Sequence, residues 1–90
     1  MIIDARRLPE GKSIETEVCI IGAGAAGITL ARELVGQEFQ VVLLESGGFE
    51  LDRETQLLYE GDNIGLPYFP LNVARLRFFG GSTNHWSNWC

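Results

Sequence analysis

The order strand, Gly22-x-Gly24-x-x-Gly27, helix, strand, Glu45 constrains this chain more than any other feature of it. Val18-Cys19-Ile20-Ile21 is a short, β-branched apolar run, the pattern of a strand buried on both faces of a parallel sheet. The spaced glycines follow at once. Apolar Ile28, Ala31, Leu34 and Val35 then recur at helical spacing and predict a helix over residues 25–35. Gly36 stands where a glycine commonly closes a helix. Val41-Val42-Leu43-Leu44 reads as a second buried strand that ends at Glu45. The whole is a βαβ unit, for which a right-handed crossover is expected.

Each glycine has its own physical task. Gly22 permits a tight turn out of the strand, Gly24 lets a pyrophosphate approach the backbone with no Cβ in the way, and Gly27 lets the helix pack closely on the sheet. The helix start, through the N–H groups around Ala25 and Ala26, offers unsatisfied donors and partial positive charge to a diphosphate. Glu45 lies 18 residues past Gly27, with Ser46 beside it, where a carboxylate can accept hydrogen bonds from ribose hydroxyls. That acid opposes the 2′-phosphate of NADP and leaves both FAD and NAD open. The expected fold is therefore α/β: a Rossmann-like FAD/NAD(P)-binding domain with a parallel sheet. Only its N-terminal βαβ unit is expected here, with residues 1–16 an extended lead-in and residues 17–90 a partial domain cut short at the C-terminus.

Beyond Glu45 the pattern loosens. Ser46-Gly47-Gly48 reads as a turn, residues 53–59 as a short helix with Leu57 and Leu58 inward, and residues 61–70, with two prolines and two glycines, as loop. Residues 71–79 are apolar with Arg75 and Arg77 interleaved, which suggests a strand leading into Gly80-Gly81. A formal charge of -5 argues against a nucleic-acid-binding surface. Cys19 and Cys90 provide neither a disulfide framework nor metal-ligand spacing, and Cys19 in its apolar run reads as a buried structural thiol. No stretch approaches the ~18 apolar residues of a membrane span, and the N-terminus lacks the apolar core of an export signal. The cytoplasm is the default expectation.

Val41 through Gly48, VVLLESGG, resembles the strand-acid-turn segment of the glucose-methanol-choline (GMC) oxidoreductases, which bind FAD. Arg77-Phe78-Phe79-Gly80-Gly81-Ser82-Thr83 is similar to that family's Arg-x-x-Gly-Gly-Ser-Ser segment, whose backbone runs under the isoalloxazine and the pyrophosphate. The residues agree with this on their own terms. A Gly-Gly pair with the Ser82 and Thr83 hydroxyls offers N–H groups and room for a flat ring, and Arg77 can offset diphosphate charge. An ordinary hairpin turn and a solvated charge are the plainer readings of the same residues.

The resemblance also implies a role for His85. Its spacing from Gly81 resembles choline oxidase and pyranose oxidase, where the matching histidine bonds covalently to the flavin. His85-Trp86 is nearest the His-Trp pair of pyranose oxidase and gluconate-type dehydrogenases, although the commoner family pattern has Asn at position 86. A histidine that only hydrogen-bonds near the ring is the alternative. Trp86 and Trp89 read as core aromatics before substrate platforms. The implied activity is FAD-dependent oxidation of a CH–OH group in an alcohol, sugar or polyol, with the catalytic acid and base downstream of residue 90. The electron acceptor and any partner subunit stay open. Two rivals remain: another FAD- or NAD-binding oxidoreductase, and a non-catalytic, truncated nucleotide-binding module.

Overall fold

The computed structural model describes residues 1–85. Two strands, β1 (Val18–Ile21) and β2 (Val41–Leu44), pair in parallel with Val18 opposite Val41 and Ile21 opposite Leu44. Helix α1 (Ala25–Leu34) connects them, so the sequence-predicted βαβ unit is present. Gly36 has φ +82°, the left-handed conformation expected just past the helix end. At the opening end of the sheet, Gln40 joins the strands. Its C=O accepts from the Val18 N–H at 3.1 Å and from the Thr16 hydroxyl, and its N–H donates to the Glu17 carboxylate.

The fold is α/β with a two-stranded sheet, and its core is small. Ile20 and Ala23 are the only buried hydrophobic residues among those described, and Gly27 of α1 is buried over them. Burial of β1 on both faces is not observed. Ile20 points under α1, whereas Cys19 and Ile21 point to the opposite face, which no described element covers. Cys19 is accordingly an exposed thiol, contrary to the buried one expected. Among the described residues, no helix is long and apolar enough to cross a membrane, and no cluster of His, Cys, Asp and Glu could hold a metal ion.

Three local expectations are corrected. The lead-in is not wholly extended, because Ala5–Arg7 form a 3-10 turn. The Asp4 carboxylate accepts from the Arg6 N–H at 3.1 Å and pairs with its guanidinium at 2.8 Å, which holds the Asp4 pKa down at about 2. Helix α2 (Arg53–Leu57) forms with Asp52 as its cap, but Leu57 and Leu58 stay exposed. Its contacts with the chain run through polar Gln56 instead. Residues 71–79 are not a strand. Pro70 starts a short helix, α3 (Leu71–Ala74), in which the N–H groups of Val73 and Ala74 both donate to the Pro70 C=O at 2.9 Å. Past α3, side chains take the place of a ladder: the Leu76 N–H donates to Ser82 Oγ at 3.1 Å and the Arg77 N–H to Gln56 Oε1 at 2.9 Å. Residues 61–70 are loop, as expected.

Candidate functional site

The site forms where both strands end. Gly22 leaves β1 with φ +96°, a backbone conformation that a side chain would strain, and its N–H donates to the Leu44 C=O at 2.7 Å. Gly27 meets the other demand, close approach. A Cβ there would collide with the Gly22 carbonyl oxygen and stand 3.4 Å from Ile20 Cγ2. The helix thus begins directly over the strand it follows. At Gly24 an added Cβ would meet nothing within 4 Å, so that side of the loop is open. No side chain caps α1, and no hydrogen bond among the described residues is donated by the N–H groups of Gly24, Ala25, Ala26 or Gly27. An uncapped helix start with an open glycine before it fits a diphosphate.

Glu45 faces this loop. One carboxylate oxygen accepts from the Ala23 N–H at 2.7 Å, and the other accepts from the Gly47 N–H at 2.9 Å and the Ser46 hydroxyl at 3.3 Å. The side chain therefore ties the glycine loop to the turn after β2. A carboxylate has about four acceptor positions, so capacity for a hydroxyl donor remains.

The segment around Gly80 joins the same place. Gly47 lies so close to it that a Cβ would collide with the Arg77 carbonyl and Phe78 Cα. The Phe79 N–H donates to the Gly48 C=O at 2.9 Å and the Gly80 N–H to the Ala23 C=O at 2.7 Å, and a Cβ on Gly81 would stand 3.4 Å from Gly24 Cα. The two segments that the sequence singled out, far apart along the chain, thus meet at the C-terminal ends of the strands. In open parallel sheets this is the crevice where ligands bind. No family model matches the chain, and no solved structure matches it significantly.

An open cleft of about 420 Å³ lies beside the meeting point, lined by Ile21, Gly22, Leu44, Glu45, Ser46, Tyr59 and Arg77. Clefts of ~300–1,000 Å³ are the usual size for small-ligand sites. Arg77 is half-buried, with its guanidinium 4.3 Å from the centre of the Tyr59 ring and Nη1 donating to Ser46 Oγ at 3.1 Å. Its Nε is buried without an acceptor among the described residues. Arg77 therefore joins the Glu45 side of the crevice and is no solvated strand charge.

The Ser82 and Thr83 hydroxyls each make one bond within the turn. Ser82 Oγ accepts from the Leu76 N–H, and Thr83 Oγ1 donates to the Gly80 C=O. His85 ends the 3-10 turn Gly81–His85, exposed, with no hydrogen bond to its imidazole among the described residues. Trp86, Trp89 and Cys90 lie outside the described residues. Sequence reading missed Gln56 and Tyr59. Neither belongs to a motif, and only their spacing of three on one side of α2 and its following turn hints that they act together.

Proposed function

We propose that this chain binds the ADP portion of FAD and belongs to an oxidoreductase acting on CH–OH groups of an alcohol, sugar or polyol. One observation carries the reading: the open glycine loop, the Glu45 turn and the Arg77–Gly81 segment converge at the carboxyl end of a parallel strand pair. The α1 start would receive the diphosphate on the N–H groups of Gly24 to Gly27, and Glu45 would take a ribose hydroxyl on its remaining acceptor capacity. What FAD supplies when bound is the acceptor for a hydride leaving the alcohol carbon. Gly80 and Gly81 carry a side-chain-free backbone up to Gly24, which suits a large flat ligand lying across the loop. No residue among those described is assigned as acid or base. The GMC resemblance further makes His85 the attachment point of a covalently held flavin, and its exposed imidazole suits that role.

Titration of FAD into the full chain, followed by quenching of flavin fluorescence, tests the reading. Glu45→Gln should weaken binding by about 1.5–3 kcal/mol, the value of hydrogen bonds to a charged group, and Glu45→Arg should weaken it more. Equal binding by both variants and wild type would remove Glu45 from the site. Tight NADH binding with no affinity for FAD would favour the nicotinamide alternative. Acid denaturation of FAD-loaded protein should leave flavin on the His85 peptide. Its complete release would leave His85 as a neighbour of the ring.

A further inference from the structure

Helix α2 and the turn after it belong to neither sequence motif, yet they carry two groups that fix Arg77. The Gln56 side chain uses both amide donors and its carbonyl oxygen on the segment leading to Arg77. Nε2 donates to the Asn72 C=O at 2.6 Å and to the Arg75 C=O, and Oε1 accepts the Arg77 N–H at 2.9 Å. Three residues on, the Tyr59 ring lies against the guanidinium. Backbone and side chain of Arg77 are thus both set from one side of α2 and the turn that follows it. Ser46, next to Glu45, takes Nη1. The buried Nε without an acceptor marks donor capacity that no described residue uses.

We propose that Gln56 and Tyr59 are positioning residues that hold Arg77 in the cleft to bind the 5′-phosphate of a nucleoside monophosphate unit. The inference rests on the nucleotide-binding reading above and assigns Arg77 to the nucleoside end of the ligand. The cleft chemistry calls for such a ligand. Glu45 keeps room for a hydroxyl donor, the Arg77 guanidinium has no carboxylate partner among the described residues, and both line one cleft with Gly22, the first residue of the glycine loop. Within a nucleotide, the ribose 5′-phosphate is the smallest unit that presents both. A guanidinium held over an aromatic ring also has a restricted position, so less freedom is lost when it binds.

The test is calorimetric titration of the full chain with AMP and, separately, with adenosine. Tyr59→Leu should weaken AMP binding about tenfold, the scale of one charge-assisted hydrogen bond, and change adenosine binding less than about twofold. Tyr59→Phe, which keeps the ring, should match wild type. Arg77→Met should show the same AMP-selective loss, and Tyr59→Leu combined with Arg77→Met should be no worse than Arg77→Met alone, because Tyr59 acts through Arg77. Additive losses, or equal losses for AMP and adenosine, would reduce Tyr59 to a structural residue and overturn the proposal. Tyr59→Leu binding AMP like wild type would overturn it as well. Should Tyr59→Leu lose its circular dichroism spectrum, Gln56→Met decides in its place: an AMP-selective loss supports the positioning of Arg77, and equal losses for AMP and adenosine overturn it. Wild type that binds neither compound would overturn the nucleotide reading itself, a different failure from wild type that binds both and variants that do not discriminate.

Discussion

Gly27 shows how much a single atom decides in this chain. Its missing side chain lets α1 begin over β1, and an added methyl would sit inside the Gly22 carbonyl. Backbone carbonyls cannot rotate away as side chains do, so Gly27→Ala should cost about 1–3 kcal/mol through forced separation of helix and strand. Amide hydrogen exchange gives a local measure. The Gly22 and Ile28 N–H groups, bonded to the Leu44 and Gly24 carbonyls at 2.7 and 2.9 Å, should exchange faster in the variant. The Val18 N–H, at the other end of the sheet, should change less. Unaltered exchange at Gly22 and Ile28 would mean that the loop absorbs the methyl and the close approach is not required. This residue was legible in the sequence because a glycine at that spacing has few other uses. The fates of Glu45 and Ser82 were not. Both carry oxygens that suit a ligand, and the sequence does not reveal that Glu45 also holds the Ala23 and Gly47 N–H groups or that Ser82 takes the Leu76 N–H.

At the scale of elements, β1, α1 and β2 were readable because each is specified locally, by β-branched runs and a helical apolar period bracketed by glycines. Residues 71–79 were misread because Arg75 and Arg77 alternate with apolar residues as they would in a half-exposed strand. Strand identity depends on a neighbour, and here Gln56 and Ser82 supply the hydrogen-bonding partners that a neighbouring strand would have given. Helix α2 was located, but its inward side was placed on Leu57 and Leu58 when Gln56 makes the contacts. Asp52 holds this helix in register by accepting from the Thr55 N–H at 2.8 Å and hydroxyl at 2.7 Å, which lowers its own pKa. Asp52→Ala should therefore fray α2, loosen Gln56 and weaken AMP binding roughly 3- to 10-fold, the range over which a lost helix cap acts when fully coupled. The sign with pH follows from the lowered pKa: the cap's contribution is present above the ordinary carboxylate value of 3.8 and fades as pH falls through the lowered one. Asp52→Asn, which keeps a capping oxygen, should retain most of the binding and lose the part of the acid pH dependence that comes from Asp52.

For the whole molecule the governing quantity is surface. The chain exposes 8091 Å², whereas a compact chain of 90 residues exposes about 5,200 Å². Its radius of gyration of 15.6 Å likewise exceeds the about 12 Å expected for a compact domain of this length. Part of the excess is apolar: Ile21 at the end of β1, Val35 after α1, and Ile64 and Leu66 in the 61–70 loop are all more than three-quarters exposed. A parallel sheet normally has both faces covered, and here α1 covers one. With so little apolar area removed from water, burial offsets only a small part of the chain entropy lost on folding. This chain alone should therefore bind a hydrophobic dye such as ANS and unfold over a broad range of temperature. FAD should narrow and raise that transition, because a ligand that binds only the folded state stabilises it in proportion to its free concentration over Kd. Calorimetry with and without FAD, alongside dye fluorescence, distinguishes the outcomes. A sharp transition without FAD and no dye binding would mean that the exposed face of Cys19 and Ile21 is covered in solution, and that the surface argument does not govern stability. A broad transition that FAD leaves unmoved would uphold the surface argument and count against the nucleotide site, since binding at the junction of Gly24, Glu45 and Gly81 should tie together the segments that hold this chain folded.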